Sequence, residues 1–203
     1  MRLNLKTLTL GAVAAAALAS CSGGSQDSAS EGNAALNNIM SRTSVREYTA
    51  QPVGADTVEI LLKAAMAAPT AANARPWKFV VVRNEAMRAE LGDSLPNAGD
   101  KLTKSAFVVV VCGDTETFFK PQPDFWVQDC SAATENLLLA ANAVGLGAVW
   151  CGIYPDMNRV YATRQVLGLS PELIPLCVVP VGHPASAQEP KDKWNPDNVI
   201  YKD

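Results

Sequence analysis

The chain has 203 residues, 48% apolar and 18% charged, with 17 basic and 20 acidic side chains and a net charge of −3. That apolar share supports a real core, and the acidic balance argues against a general nucleic-acid binder, which needs a basic face. With a single histidine in the chain, a His-rich metal site is excluded.

Residues 1–21 read as a targeting segment. Arg2 and Lys6 give a positive start, Leu8 to Ala19 is apolar, and the small residues Ala19 and Ser20 precede Cys21. The apolar run is shorter than the roughly 20 residues a spanning helix needs. Leu18-Ala19-Ser20-Cys21 resembles the lipobox of bacterial lipoproteins, which implies an acylated Cys21 and an exported, membrane-anchored protein on the periplasmic face or cell surface. With Arg2 and Lys6 removed, the remainder carries 15 basic residues against 20 acids. Residues 22–33, SGGSQDSASEGN, are small and polar and read as a flexible tether. Residues 34–203 have the length of one domain.

Asn33 to Ser41 reads as a short helix with Leu36, Ile39 and Met40 on one face. Asp56 with Glu59 resembles a capping box. Val58, Leu61, Leu62, Ala65 and Met66 then follow at helical spacing until Pro69 stops the helix. After the loop Pro69 to Pro76, Trp77 to Val82 is a strand. Asn84 to Leu91 is a helix ending at Gly92, and Ala106 to Cys112 is a Val-rich strand covered on both faces. Phe125 to Val144 is the longest helix, poor in charge and therefore buried. Gly145 and Gly147 end it, before a short strand from Ala148 to Cys151. Asp156 to Leu167 is a helix closed by Gly168, and Leu176 to Val181 is a buried strand. From His183 the chain is polar and extended, as expected of a segment lying on a partner surface. The pattern implies a three-layered α/β or α+β class.

Several chemistries find no support. His183 sits in a Gly-His-Pro turn, and no G-x-S-x-G elbow accompanies it. Gly145-Leu146-Gly147 precedes a strand and lacks the third glycine of a dinucleotide fingerprint, so it reads as a helix cap and turn. Asp114 and Glu116 follow a strand and read as a solvated turn. Cys112, Cys130, Cys151 and Cys177 have no C-x-x-C spacing and are expected mostly reduced. What remains is cationic. Arg42 and Arg46, with Thr43 and Ser44 between them, offer two guanidinium forks and two hydroxyls to a phosphate and a polyol.

Four segments in order carry a resemblance. Ser41-Arg42-Thr43-Ser44-Val45-Arg46-Glu47-Tyr48 is similar to the opening motif of the FMN-dependent nitroreductase family. Pro69-Thr70-Ala71-Ala72-Asn73-Ala74-Arg75-Pro76-Trp77 resembles its Pro-Ser-x-x-Asn-x-Gln-Pro-Trp loop. Ala143 to Trp150 resembles its helix-to-strand junction, and Pro190-Lys191-Asp192-Lys193-Trp194 its basic C-terminal motif. The resemblance covers residue 34 to the end.

It implies a nitroreductase-like α+β fold in three layers (α/β/α), with a mixed central sheet, a buried central helix and a C-terminal arm. It implies a homodimer with FMN at the interface, and turnover between NAD(P)H or another reductant and small acceptors such as nitroaromatics or quinones. Arg42, Lys191 and Lys193 match positions that hold the FMN phosphate, and Thr43 and Ser44 positions near the phosphate and ribityl chain. Arg46 matches the position beside the flavin pyrimidine, with Lys101 as a looser match. Pro69, Thr70, Ala71 and Asn73 match the loop given by the other subunit, and Trp150, Cys151 and Gly152 the backbone near flavin N5. Thr70 keeps the hydroxyl of the usual Ser, whereas Arg75 replaces the usual Gln. Trp77 and Trp150 are expected to pack in the core. A flavin- or ligand-binding lipoprotein without turnover, and a flavoenzyme of the same fold with other chemistry, fit the same motifs.

Overall fold

The computed structural model describes residues 32–202. Cys21, the targeting segment and the tether up to Glu31 lie outside the described residues. Asn33 caps the first helix, α1 (Ala34–Ser41), its Oδ1 accepting from the amides of Ala35 at 3.0 Å and Leu36 at 3.2 Å. The apolar face expected on α1 is present, but Leu36, Ile39 and Met40 are all exposed.

Helix α2 (Ala55–Met66) starts at Gly54, and the expected capping box does not form. Asp56 already lies inside the first turn, where its charge meets the helix dipole. Glu59 instead pairs with Lys63 one turn on, at 2.6 Å. Strand β1 (Trp77–Val82) leads into α3 (Glu85–Ser94), which runs through Gly92 rather than ending there. A Cβ at Gly92 would stand 3.0 Å from the Gly99 carbonyl oxygen, so this glycine allows α3 to approach α4 (Gly99–Lys104) closely. The six-residue α4 was not expected from the sequence.

Strand β2 (Phe107–Asp114) is buried along its whole length. Phe107, Val109 and Val111 face one apolar cluster with Leu61, Leu137 and Trp126, while Val108, Val110 and Cys112 face another with Leu91, Leu102 and Val160. That is why the strand reads as a continuous apolar run: alternate residues serve opposite layers of helices. The helix α5 (Phe125–Ala143) fills the first layer, and α3, α4 and α6 (Met157–Leu167) fill the second. Asp156 caps α6 and Gly168, at φ 59°, ends it as expected.

The expected strand at 148–151 is two short pieces, β3 (Gly147–Ala148) and β4 (Cys151–Gly152). Both pair with β5 (Leu173–Gly182), and the sheet order is β1-β2-β5-β3. All named strands pair antiparallel, and the parallel component is a single bridge between Ser44 and Ala148. No helix among the described residues is long and apolar enough to cross a membrane.

Candidate cofactor site

Residues 42–48 are sewn to the edge of the sheet. The amide of Val45 donates to Ala148 O at 3.0 Å, that of Thr49 to His183 O at 2.9 Å, and that of Ala185 to Glu47 O at 3.0 Å. The buried Tyr48 hydroxyl lies 2.7 Å from Val45 O and 3.1 Å from Pro180 O. Burial pushes its phenol well above the ordinary value, so it stays a neutral donor. Gly147 makes room for Val45, since a Cβ there would stand 2.6 Å from the valine side chain. Between these anchors Arg46 and Glu47 are exposed, whereas Arg42, ahead of them, is largely covered. Arg42 pairs with Glu135 of α5 at 3.2 Å, and Arg46 donates to Ser44 O at 3.0 Å.

Of the cavities that adjoin this segment, two are lined by its arginines. The first, about 260 Å³, is lined by Arg42, Thr43, Ser44 and Arg46 and by Lys191 and Lys193 of the C-terminal arm. Among the described residues Glu189 is the one acid in its lining, with Glu135 meeting Arg42 from outside it, and four cations converge on one space. The second, about 240 Å³, shares Arg46 and adds Asn97, Lys101, Trp150, Cys151, Gly152 and Arg159. It has three cations and no acid in its lining. A Cβ at Gly152 would meet nothing within 4 Å, so the backbone there lies open to a flat group. Arg159 turns back from α6 to donate to Gly152 O at 3.1 Å, and its Nε stands 3.4 Å from Asp156. The half-buried Cys151 thiol is pushed up by burial, against the pull of Lys101 and Arg46. Sharing Arg46, the two cavities make one trough, with four cations lining one end and three the other.

The Nitroreductase family model matches residues 39–117 and 96–183. The chain belongs to the nitroreductase family. A protein of Archaeoglobus fulgidus provisionally named NADH dehydrogenase/NAD(P)H nitroreductase is 40% identical over 167 residues, covering 81% of this chain and 95% of that one. A crystal structure from Bacteroides thetaiotaomicron with the same provisional name superposes with a TM-score of 0.79 at 41% identity, covering 84% of this chain and 98% of the other. A provisionally named nitroreductase from Desulfovibrio desulfuricans, solved with FMN, gives a TM-score of 0.75 at 28% identity, covering 84% and 98%.

Within this nitroreductase fold, Arg42, Thr43, Ser44, Arg46, Lys101, Trp150, Cys151, Gly152, Lys191 and Lys193 line the trough. Pro69, Thr70, Ala71 and Asn73 do not line it. Their loop is held by Asp129 of α5, whose Oδ1 accepts from Ala71 N at 2.9 Å, and by Thr70, whose Oγ1 accepts from Arg75 N at 3.1 Å. Ala72, Asn73 and Arg75 all take left-handed backbone angles, near φ 50–56°. Arg159 and Asn97 are trough residues that the sequence reading missed. The Asp156 cap marks where α6 begins, but nothing local shows that Arg159 folds back on Gly152. Trp77 is core, as expected, whereas Trp150 is only half-buried and borders the trough. Asp114 is not a solvated turn residue. It is the buried end of β2, 3.5 Å from Lys78, because that strand runs two residues beyond its expected end. Cys112, Cys130 and Cys177 are free and buried. Burial pushes the Cys112 and Cys177 thiols up to about 12, which makes them inert packing groups.

Proposed function

We propose that this chain is an FMN-dependent oxidoreductase that takes electrons from a reduced donor, typically NAD(P)H, and delivers them to small acceptors such as nitroaromatics or quinones. The observation that carries this reading is the trough itself. Its cationic end fits a phosphate dianion, Arg46 sits between the two cavities, and Gly152 leaves open backbone where a ring can lie. Arg42, Lys191 and Lys193 hold the phosphate through charge-assisted hydrogen bonds, and Thr43 and Ser44 bind the phosphate and the polyol. Arg46 and Lys101 place positive charge beside the flavin pyrimidine, which favours its reduced, more negative form. Arg159 fixes the carbonyl of Gly152 and thereby the backbone under the ring. The bound FMN supplies the hydride chemistry, and the protein supplies position and charge.

The loop from Pro69 to Asn73 reaches a flavin from the second subunit of a homodimer. The exposed face of α1 and the exposed Trp194, Ile200 and Tyr201 of the arm support that assembly. The lipobox-like Leu18 to Cys21 supports an exported form held at the membrane through an acylated Cys21. A Cys21→Ser variant that still pellets with membranes would remove the anchor from this account.

The deciding experiment is the visible absorption spectrum of the domain lacking residues 1–21, before and after heat release of its ligand. A yellow protein that releases FMN is expected, bleached anaerobically by NADH or NADPH and recoloured by a quinone. Arg42→Ala and Lys193→Ala are each expected to weaken FMN by at least about tenfold, since each removes a charged hydrogen bond worth about 1.5–3 kcal/mol. A colourless protein that takes up no added FMN overturns the proposal.

A further inference from the structure

A third cavity lies on the other side of α4 from the trough. Asn97 and Lys101 border the flavin side, whereas Thr103, Lys104 and Ser105 border this one. It measures about 510 Å³, is open to solvent, and is lined by Tyr48 to Pro52, by Arg83, Glu85 and Arg88, and by Thr103 to Ala106. This is the size of a small-molecule site rather than a packing defect.

Arg88 makes the space unusual. Only 8% of the residue is exposed, and its Nε is buried without a hydrogen-bond partner among the described residues. One of its terminal nitrogens donates to the carbonyl of Arg83, and the residue lines the cavity. Burial lowers its proton affinity, with Glu85 opposing, yet arginine starts so far above neutrality that the charge persists. The Nε has almost no accessible surface, so a ligand in the cavity would meet the rest of the guanidinium, and a cation this deeply buried is costly unless an anion stands close. Arg83 and Lys104 add two exposed cations to the same lining, against the single carboxylate of Glu85. Lys104 meets Asp100 at 3.1 Å, but both side chains are largely exposed and such a pair is readily exchanged. Thr49 accepts from Gln51 N at 3.4 Å, which leaves its hydroxyl hydrogen to donate.

We infer that this cavity is a second anion site, built for the phosphate group of a soluble small molecule and separate from the flavin trough. Three cations against one acid suit a dianion, and planar guanidinium forks suit phosphate oxygens. The site does not depend on the flavin reading, since it shares no lining residue with the trough.

The test is calorimetric titration of inorganic phosphate into FMN-saturated protein at about 0.15 M salt, where weak surface attraction is screened. FMN occupies the trough, and its absorbance reports that site independently in the same sample. If the protein takes up no FMN, the same titration is run on the protein as purified. One saturable site per chain is expected. Arg83→Ala and Lys104→Ala are each expected to weaken it about tenfold, the effect of one lost charge-assisted contact. Both side chains are exposed, and Arg83→Ala keeps the carbonyl that Arg88 uses, so both variants should fold. Glu85→Gln is expected to tighten binding. Arg88→Leu should abolish it and, if that variant fails to fold, the exposed pair decides. Absence of saturable binding overturns the site. So does binding that ignores both Arg83→Ala and Lys104→Ala, or that disappears only with Arg42→Ala.

Discussion

Residues 42–48 and residues 69–75 are both charged or polar motif segments beside the same long helix, yet they are held in opposite ways. The first is tied into the sheet by its own backbone, through Ala148, His183 and Ala185, and by the buried Tyr48 hydroxyl. Its cations meet those of the chain's own C-terminal arm. The second is a turn with three left-handed residues other than glycine, hung on Asp129 and Thr70 and absent from the lining of that trough. One segment is complete within the subunit. The other is held in an unusual shape by contacts within the subunit, and on the proposed function it would serve a partner's flavin. Position on a rigid sheet edge gives precision, while strain held by a few contacts gives a preformed but less secure recognition element.

That contrast breaks most easily on the 42–48 side. Gly147→Ala is expected to have the largest effect, because its Cβ would meet Val45 at 2.6 Å. Overpacking of this kind costs about 1–3 kcal/mol, and relief requires the segment to lift off Ala148. Urea denaturation should show the loss, and the purified variant should retain less flavin. If flavin retention is unchanged at lowered stability, the segment's seat on the sheet does not set the site. Tyr48→Phe should follow, at about 1–2 kcal/mol for a buried carbonyl left unpaired. Here the fold should survive intact by far-UV circular dichroism, with a modest drop in flavin affinity. A variant as stable as the parent would mean that Val45 O and Pro180 O are satisfied without the hydroxyl.

The same contrast explains what could be read from the sequence. The Val-rich run at 106–112 announced a strand covered twice, because strand periodicity sends alternate residues to opposite layers. Arg42, Arg46, Lys191 and Lys193 stood out because clustered cations have few structural uses and match a phosphate. Their meeting in one cavity was legible only through the family pattern, since Lys191 stands 145 positions beyond Arg46. Arg159 and Asn97 were not legible, because their roles come from how α6 and the α3–α4 turn fold back. The short α4 escaped because six residues with one buried leucine carry too little periodicity; α3 and β2 hold it in place. The apolar face of α1 was legible as a pattern, but no local signal told that the described residues leave it exposed.

The smallest effect sharpens the other half of the comparison. Ala72, at φ 50°, is the least suited of the three left-handed residues, since asparagine tolerates this region and alanine does not. Ala72→Gly relieves a strain of about 1–2 kcal/mol but frees the unfolded chain by somewhat less. A net gain of about 0.5 kcal/mol is therefore expected in urea denaturation. Flavin binding should respond in the opposite direction, because a glycine lets the loop leave the shape that Asp129 and Thr70 impose. A loss of stability of about 0.5–1 kcal/mol, the ordinary cost of glycine in ordered structure, would mean that the loop relaxes out of the left-handed region in solution. A stability gain with unchanged flavin affinity would mean that the loop's shape is kept by Asp129 alone, and that its strain has no share in recognition.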